Sequence, residues 1–163
     1  MSLFVVMGVS GCGKTTIARQ LADATNGEFL DADDFHPLEN REKMAAGIPL
    51  EDSDRWGWLD ILNHKLAILS QKPINTFLAC SALRKAYRTC LSTGLPDLRF
   101  IYLHGSRAVI ARRLEQRTAH FMHATLQESQ FATLEEPSSD EALFISTELP
   151  LDDVLHLILC QIR

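Results

Sequence analysis

The apolar residues of this chain are arranged in two ways that alternate along the sequence. Short, mainly apolar runs are typical of buried strands in a parallel sheet, and between them lie longer segments in which apolar residues recur at helical spacing. The predicted strands are Leu3–Met7, Glu28–Asp31, Ile74–Cys80, Arg99–Leu103 and Leu143–Thr147. The predicted helices are Lys14–Ala24, Asp54–Ser70, Leu83–Thr93, Arg107–Thr118, Ala124–Leu134 and Leu151–Ile162. Because strands and helices alternate, we predict an α/β fold, a five-stranded parallel sheet with helices on both faces.

A glycine-rich segment joins the first predicted strand to the first predicted helix. Its residues are Gly8, Val9, Ser10, Gly11, Cys12, Gly13, Lys14 and Thr15, which match the pattern G-x-x-x-x-G-K-[ST]. Glycines allow the backbone N–H groups of such a loop to point inward and bind phosphate oxygens, and the following helix adds its positive dipole end. We expect Lys14 to reach the β- and γ-phosphates, Thr15 to ligate Mg²⁺, and Thr16 to extend the phosphate contact. The segment predicts the P-loop nucleoside-triphosphate hydrolase fold and a bound nucleotide such as ATP.

Length, charge and cysteine content narrow the class of protein. A chain of 163 residues is the size of one domain, so we treat residues 1–163 as a single P-loop domain. The net charge of −5 and the lack of a long basic stretch disfavour nucleic acid as a partner. No apolar run approaches the roughly 18 residues of a membrane-spanning helix, and the four scattered cysteines form no C-x-x-C pair. We therefore expect a cytoplasmic protein with a small-molecule substrate.

Three carboxylates and an imidazole follow the second predicted strand, at the end where parallel sheets bind ligands. Asp31 and Asp33 are two residues apart in an extended chain and therefore share one face. We assign Asp31 to the metal ion and Asp33 to the proton of an attacking hydroxyl, with the reverse as the alternative. A solvated acidic turn that caps the next helix is the non-catalytic explanation, above all for Asp34. His36 suits either a substrate contact or a structural turn.

Residues 36–58 are longer than a simple crossover requires and predict an inserted segment that binds the acceptor. A short extra helix would end there at Gly47 and Pro49. Arg55 precedes Trp56 directly, and it could contact the substrate or pack its cation against an aromatic edge of the core. The sequence leaves both interpretations open.

Several segments together carry a family resemblance that covers nearly the whole chain. They contain Met7 to Lys14, Phe29 to Asp33, His36, Pro37, Asn40, Lys43, Met44, Gly47, Pro49, Leu50, Asp52, Asp54, Arg55, Trp58, Leu59, Cys80 to Lys85, Tyr87, Arg88, His120, Phe121, Ser129 to Phe131, Leu134, Glu135 and Pro137. In these residues the chain resembles the bacterial-type gluconate kinases (gluconokinases), which belong to the adenylate- and shikimate-kinase-like P-loop kinases. The resemblance implies ATP-dependent phosphorylation of D-gluconate on its terminal hydroxyl, giving 6-phosphogluconate, in a homodimeric cytoplasmic enzyme.

The segment after the third predicted strand supplies candidate contacts to the acceptor. Arg84 and Arg88 are spaced i, i+4 in a predicted helix, so we expect them to share one face and meet a carboxylate such as that of gluconate. A solvated helix face is the alternative. The resemblance adds Ser81 and, from the inserted segment, Lys43 to the acceptor contacts.

In related kinases a lid covers the nucleotide, and the resemblance places it here at residues 117–125. Arg117 would stabilise the transferring phosphoryl group, Arg113 would stack on adenine, and His120 would contact the substrate from the lid. Lid closure would exclude water as a competing acceptor.

Cys12 stands at a loop position that is often serine in this family. Because a thiol at a helix N-terminus tends to be reactive, we hypothesise that alkylation of Cys12 abolishes activity and that ATP protects it. The alternative is a small residue with no redox role.

Two other functions compete with the gluconate kinase interpretation. Shikimate kinases present a glycine-rich turn after the third strand, whereas this chain reads Cys80, Ser81, Ala82, Leu83 and Arg84 there. A nucleotide-binding regulator without turnover would not need all five of Lys14, Thr15, Asp31, Asp33 and Arg117.

Overall fold

The computed structural model describes the backbone of residues 2–117 and 122–162 and the side chains of residues 2–116 and 127–162. Its strands are β1 (Leu3–Met7), β2 (Glu28–Asp31), β3 (Thr76–Ala79), β4 (Leu98–His104) and β5 (Ala142–Ser146). Its helices are α1 (Lys14–Thr25), α2 (Leu38–Ala45), α3 (Asp52–Leu69), α4 (Lys85–Ser92), α5 (Arg107–Arg117), α6 (Met122–Thr133) and α7 (Leu151–Ile162). A short 3₁₀-helix, Ala32–Phe35, follows β2 directly.

The five strands form one parallel sheet in the order β2-β3-β1-β4-β5, which confirms the predicted α/β class. Strand β1 lies at the centre, where Val6 pairs with Ala79 of β3 and with Ile101 of β4. After β1 the chain forms β2 at one edge of the sheet and then returns to form β3 between β2 and β1. Strands β4 and β5 follow on the other side of β1. Because the direction of winding changes at β1, the loop after this strand opens into the crevice in which such sheets bind ligands.

The sheet separates two apolar cores. On one face α3 and α4 pack against the strands, with Leu62, Leu66 and Leu91 fully buried. On the other face α1, α5 and α7 pack against the strands, and Leu21 of α1 and Ile158 of α7 are fully buried. Every residue of β1 is buried, which explains why this strand is a continuous apolar run instead of an alternating one.

Two helices near the site begin at positions other than those predicted. Helix α3 begins at Asp52 instead of Asp54, because Asp54 Oδ2 accepts a hydrogen bond from the Glu51 N–H (2.9 Å) and caps the added turn. Helix α4 begins at Lys85 instead of Leu83. Arg84 is extended (φ −97°, ψ 147°) and Ala82 is left-handed (φ +46°), so an irregular loop, 80–84, separates β3 from α4 at the ligand-binding edge.

Within the parts of the chain that the structure describes, no helix combines the length and apolar character needed to cross a membrane.

Candidate active site

The glycine-rich segment forms a loop between β1 and α1, as the motif predicted. Gly8 and Gly11 have positive φ values of 145° and 84°, which favour glycine. Space also requires glycine there, since a Cβ on Gly8 would lie 2.6 Å from Leu103 O and one on Gly11 would lie 2.6 Å from Leu114 Cγ. Strand β4 and helix α5 therefore press directly against the loop, and only bare backbone fits between them.

Lys14 folds back onto this loop. Its ammonium donates a hydrogen bond to Val9 O at 3.0 Å, which keeps the cation above the loop at the N-terminal end of α1. Thr16 lies in the first turn of the same helix, whose free N–H groups and dipole favour an anion. The loop thus presents a positive, glycine-lined cradle to the crevice.

The end of β2 meets the loop through Thr15. The Thr15 hydroxyl donates to Asp31 Oδ2 at 3.1 Å, and Asp31 Oδ1 accepts from the Asp33 backbone N–H at 3.1 Å. A hydroxyl and a carboxylate are hard oxygen donors of the kind Mg²⁺ prefers, so the pair fits the predicted metal ligands. Across the described residues there is no group of three or more His, Cys, Asp or Glu side chains able to hold a metal; water and phosphate oxygens would complete the coordination.

Asp33 extends into the crevice beside Asp31. Its side chain is 87% exposed, although its pKa is raised above the ordinary value, first by partial loss of hydration and then by the negative charge of Asp31. A nearby Lys14 opposes this rise. The carboxylate is therefore accessible to a substrate and more basic than an ordinary aspartate.

His36 lies behind Asp33 and is buried. Its Nε2 is 3.9 Å from Asp33 Oδ1, and Asn40 Nδ2 donates to its Nδ1 at 3.2 Å. Burial, followed by the charges of Arg55 and Arg41, lowers the pKa of His36 to about 4. The ring is therefore neutral above that pH. Because Nδ1 accepts from Asn40, the proton resides on Nε2, which faces Asp33.

The inserted segment is held together by its own polar contacts. Lys43 Nζ forms a 2.7 Å ion pair with Asp54 Oδ1, and Asn40 Nδ2 donates to Asp54 O at 2.8 Å. The hydrogen bond from Lys43 lowers the pKa of Asp54. As predicted, the segment contains a short helix, α2, followed by Gly47 in a left-handed conformation (φ +72°). Lys43 thus has a structural partner within the segment that was predicted to bind the acceptor.

Two arginines, Arg55 near the start of α3 and Arg84 at the end of loop 80–84, are linked through Asp52 and Tyr87. Arg84 Nη1 is 3.2 Å from Asp52 Oδ2, and Tyr87 donates a short hydrogen bond to Asp52 Oδ1. The Arg55 guanidinium lies 5.5 Å from the centre of the Tyr87 ring and donates to Leu50 O at 3.3 Å. The Nε atoms of Arg55 and Arg84 are buried without a hydrogen-bond partner. This cluster, Asp52–Arg55–Arg84–Tyr87, has a net positive charge, and its two Nε atoms are buried donors without a partner.

Ser81 belongs to the same loop and adjoins the phosphate loop. Its carbonyl oxygen accepts a hydrogen bond from the Gly8 N–H at 3.3 Å. The predicted acceptor segment after β3 and the predicted nucleotide loop are therefore in direct contact.

Arg88 does not share a face with Arg84, so that prediction is wrong. Arg84 precedes α4 in an extended conformation, whereas Arg88 is 1% exposed within the helix. The Arg88 guanidinium pairs with Glu141 (2.7 Å) and donates to the carbonyls of Ala82, Leu83 and Glu135. All three guanidinium nitrogens bond within the protein, so Arg88 holds loop 80–84 in place and is buried away from a substrate.

Four other residues were predicted to act at the site: Arg113, Arg117, His120 and Cys12. Arg113 donates a short hydrogen bond to Thr147 O, beside the loop that follows β5. The side chain of Arg117 and the whole of His120 lie outside the described residues, as does most of the proposed lid. Cys12 is 1% exposed and packs against Gly8, an environment that opposes the hypothesised reactivity and favours the alternative, a small residue with no redox role.

Sequence reasoning missed the residues that orient the predicted ones. Asn40 sets the tautomer of His36, and Asp52 with Tyr87 holds Arg84. All three belong to the segments that carried the family resemblance, which was the available signal. Their type and position alone did not distinguish them from ordinary surface polar residues.

Similarity to known proteins covers nearly the whole chain. A family model described as shikimate kinase matches residues 10–147. The thermoresistant gluconokinase of Escherichia coli (strain K12) is 43% identical over 155 residues, which cover 94% of this chain and 89% of that protein. The gluconokinase of Arabidopsis thaliana is 40% identical over 170 residues, covering 96% of this chain and 90% of its own length.

Two solved structures extend the comparison. A gluconokinase from Sinorhizobium meliloti 1021 matches with a TM-score of 0.88 at 38% identity, covering 98% of this chain and 90% of that one. Shikimate kinase from Aquifex aeolicus matches with a TM-score of 0.60 at 17% identity, covering 98% of this chain and 95% of that one. The second match establishes a shared fold alone.

Proposed function

The chain belongs to the gluconokinase family, within the shikimate kinase-like P-loop kinases, and on this basis we propose that it transfers the γ-phosphoryl group of ATP to the terminal hydroxyl of D-gluconate. The products are 6-phospho-D-gluconate and ADP. The hydrogen bond between Thr15 and Asp31 (3.1 Å) carries the proposal, because it joins the phosphate loop to the acidic end of β2. Donor and acceptor sides of a phosphoryl transfer then meet at one edge of the sheet.

On the donor side, the backbone N–H groups from Gly11 to Thr16 would bind the phosphates at the positive end of α1. Lys14 would exchange its contact with Val9 O for oxygens of the β- and γ-phosphates. Thr15 and Asp31 would hold Mg²⁺, which when bound offsets the negative charge of the triphosphate.

On the acceptor side, Asp33 would accept the proton of the attacking hydroxyl. Its exposure and raised pKa suit a group that must reach a substrate and bind a proton from it. His36 would orient Asp33 through Nε2–H, or donate to a sugar hydroxyl, from a position fixed by Asn40.

Recognition of the substrate's carboxylate would rest on Arg55 and Arg84. Each has a buried Nε without a partner, and an arginine pair can bind a carboxylate through several charge-assisted hydrogen bonds. Ser81 would contribute a contact beside the phosphate loop, and Lys43 a contact from the inserted segment 36–58.

The remaining assignments rest on the family resemblance. Arg117 would neutralise charge on the transferring phosphoryl group, His120 would contact the acceptor from the lid, and Arg113 would lie beside the adenine.

We also propose a homodimer in the cytoplasm. Ile61 and Ile68, seven residues apart on α3, are 45% and 54% exposed and support a dimer surface there, and the four cysteines are free, as in a reducing compartment.

The test is ADP release by purified protein with ATP and Mg²⁺, with D-gluconate, shikimate, related sugar acids or no acceptor. Stimulation by D-gluconate alone would support the reaction and the substrate together. Shikimate is included because of the matching family model, although loop 80–84 lacks the glycine-rich turn of shikimate kinases. ATP binding without any acceptor-dependent release would overturn the kinase proposal and favour a regulator.

A further inference from the structure

A side chain from the far end of the chain reaches the phosphate loop. Gln130 Oε1, on α6, accepts a hydrogen bond from the Ser10 backbone N–H at 2.8 Å, across 120 positions of sequence. A backbone N–H can only donate, so it must face the amide oxygen of the glutamine, and the orientation of this amide is determined. Gln130 therefore fills the hydrogen-bonding need of one peptide group inside the nucleotide-binding motif.

Contacts on both sides of Gln130 hold α6 in place. Gln127 Nε2, one turn earlier, donates to Arg107 O at 3.1 Å. After the helix, the Glu135 N–H donates to Leu83 O at 2.8 Å, and Glu135 Oε2 accepts from the Lys85 N–H at 2.8 Å. Gln130 is thus carried by a helix fastened to α5 at one end and to loop 80–84 at the other.

The neighbouring peptides of the loop are already occupied by contacts within the site. Gly8 N–H donates to Ser81 O, and Val9 O accepts from Lys14 Nζ and from the Cys12 N–H. Ser10 follows them and precedes Gly11, whose left-handed conformation (φ +84°) turns the chain towards the phosphates. Without Gln130 the Ser10 N–H loses its protein partner, and the peptide before this turn is free to rotate.

We propose that Gln130 is a positioning residue for nucleotide binding: by fixing the Ser10 peptide it holds the loop in the conformation that receives the triphosphate. The proposal rests on the proposed function only in taking ATP as the nucleotide. The hydrogen bond persists when ATP binds, because it engages Ser10 and leaves the N–H groups from Gly11 onward to the phosphates.

The test compares Gln130→Met with Ser129→Ala. Both substitutions change one residue of α6, but Ser129 is exposed, whereas the side chain of Gln130 contacts the phosphate loop. Loss of one well-placed hydrogen bond corresponds to about a tenfold change. We expect Gln130→Met to raise the KM for ATP and the Kd for ATP without acceptor by about tenfold, with the KM for D-gluconate changed less than about twofold. Ser129→Ala should leave both nucleotide constants unchanged.

Hydrogen exchange at the Ser10 amide gives a second measurement, which begins with the wild-type protein. Protection of this amide in the unliganded wild-type protein supports the proposal, and its loss in Gln130→Met but not in Ser129→Ala completes the support. Unprotected exchange in the wild type, an unchanged Kd for ATP in folded Gln130→Met, or equal losses in both variants would overturn it. Because ATP binding and exchange are measured without acceptor, failure of the gluconate reaction would be recognised separately.

Discussion

The imidazole of His36 lies flat on the indole of Trp58, with ring centroids 4.1 Å apart and an angle of 13° between the planes. Trp58 Nε1 in turn donates to Ala32 O at 2.8 Å. The stack connects α3 to the short 3₁₀-helix that carries Asp33. It also explains why a histidine so close to a carboxylate is held uncharged: it is buried between an indole and an asparagine, with two arginines nearby.

This environment predicts a loss of stability in mild acid. The pKa of His36 is about 4 in the folded protein against 6.5 ordinarily, so between these pH values the unfolded chain binds more protons. The stabilisation is complete above pH 6.5 and declines as the pH falls towards 4, by roughly 3 kcal/mol in the free energy of unfolding. We expect His36→Gln to flatten this part of the stability profile, measured by urea unfolding at a series of pH values.

His64→Gln serves as the control, because His64 is an exposed histidine on α3. Its profile should follow that of the wild type. A wild-type stability that is constant from pH 6.5 to 4 would contradict the buried, neutral state of His36.

We predict that Asp31→Asn and Asp33→Asn cause different kinetic defects. Asp33→Asn removes the proton acceptor, and we expect kcat to fall by about 10²–10⁴ with little change in the KM for ATP. Asp31→Asn weakens the oxygen pair formed with Thr15, and we expect a higher Mg²⁺ concentration at half-maximal rate. Initial rates across a Mg²⁺ titration distinguish the two, and matching effects from both variants would refute the division of roles.

We predict that substitution of Arg84 weakens substrate binding whereas substitution of Arg88 lowers stability, although the two residues are only four positions apart. Arg84→Met removes a partly exposed cation with an unused donor. Losing a hydrogen bond to a charged group costs about 1.5–3 kcal/mol, so the KM for D-gluconate should rise by roughly tenfold to a hundredfold without a large change in Tm.

Arg88→Met instead leaves Glu141 and three carbonyl oxygens without their buried partner. Breaking such a pair costs about 3–5 kcal/mol, which corresponds to a fall in Tm of roughly 10 °C for a chain of this size. Thermal unfolding and gluconate kinetics on both variants make the comparison. A stable Arg88→Met protein with a selectively raised KM for gluconate would return Arg88 to the substrate site.

The cysteines are predicted to react in the order of their exposure. Cys160 is exposed, whereas Cys12 is 1% and Cys80 2% exposed, and burial raises the pKa of Cys80 to about 12. We expect a thiol reagent to modify Cys160 first, with activity retained, and to reach Cys12 and Cys80 only on unfolding. Peptide mass spectrometry identifies the modified sites, and Cys160→Ser should remove the fast reaction. ATP-protected loss of activity with Cys12 modified in the native protein would contradict this order.

Local patterns in the sequence were sufficient to predict the parallel sheet and the phosphate loop. The apolar run Leu3–Met7, the glycine-lysine motif after it, and the alternation of strands with helices predicted the sheet and the phosphate loop, because each depends on neighbours in the chain. The acidic end of β2 was likewise predictable, since strand direction places its carboxylates at the ligand-binding edge. Family resemblance supplied the substrate, which no periodicity could indicate.

Tertiary structure alone decided the roles that depend on distant partners. Arg88 pairs with Glu141, 53 positions away, and Gln130 reaches Ser10 across 120. Nothing in the spacing of Arg84 and Arg88 revealed that the helix begins between them, after a left-handed Ala82. The same holds for Cys12, whose burial comes from packing against strands and helices formed elsewhere in the chain. A residue type and its spacing determine which chemistry is available; the fold determines whether a side chain faces the crevice or the core, because burial and partner geometry arise only when remote segments pack together.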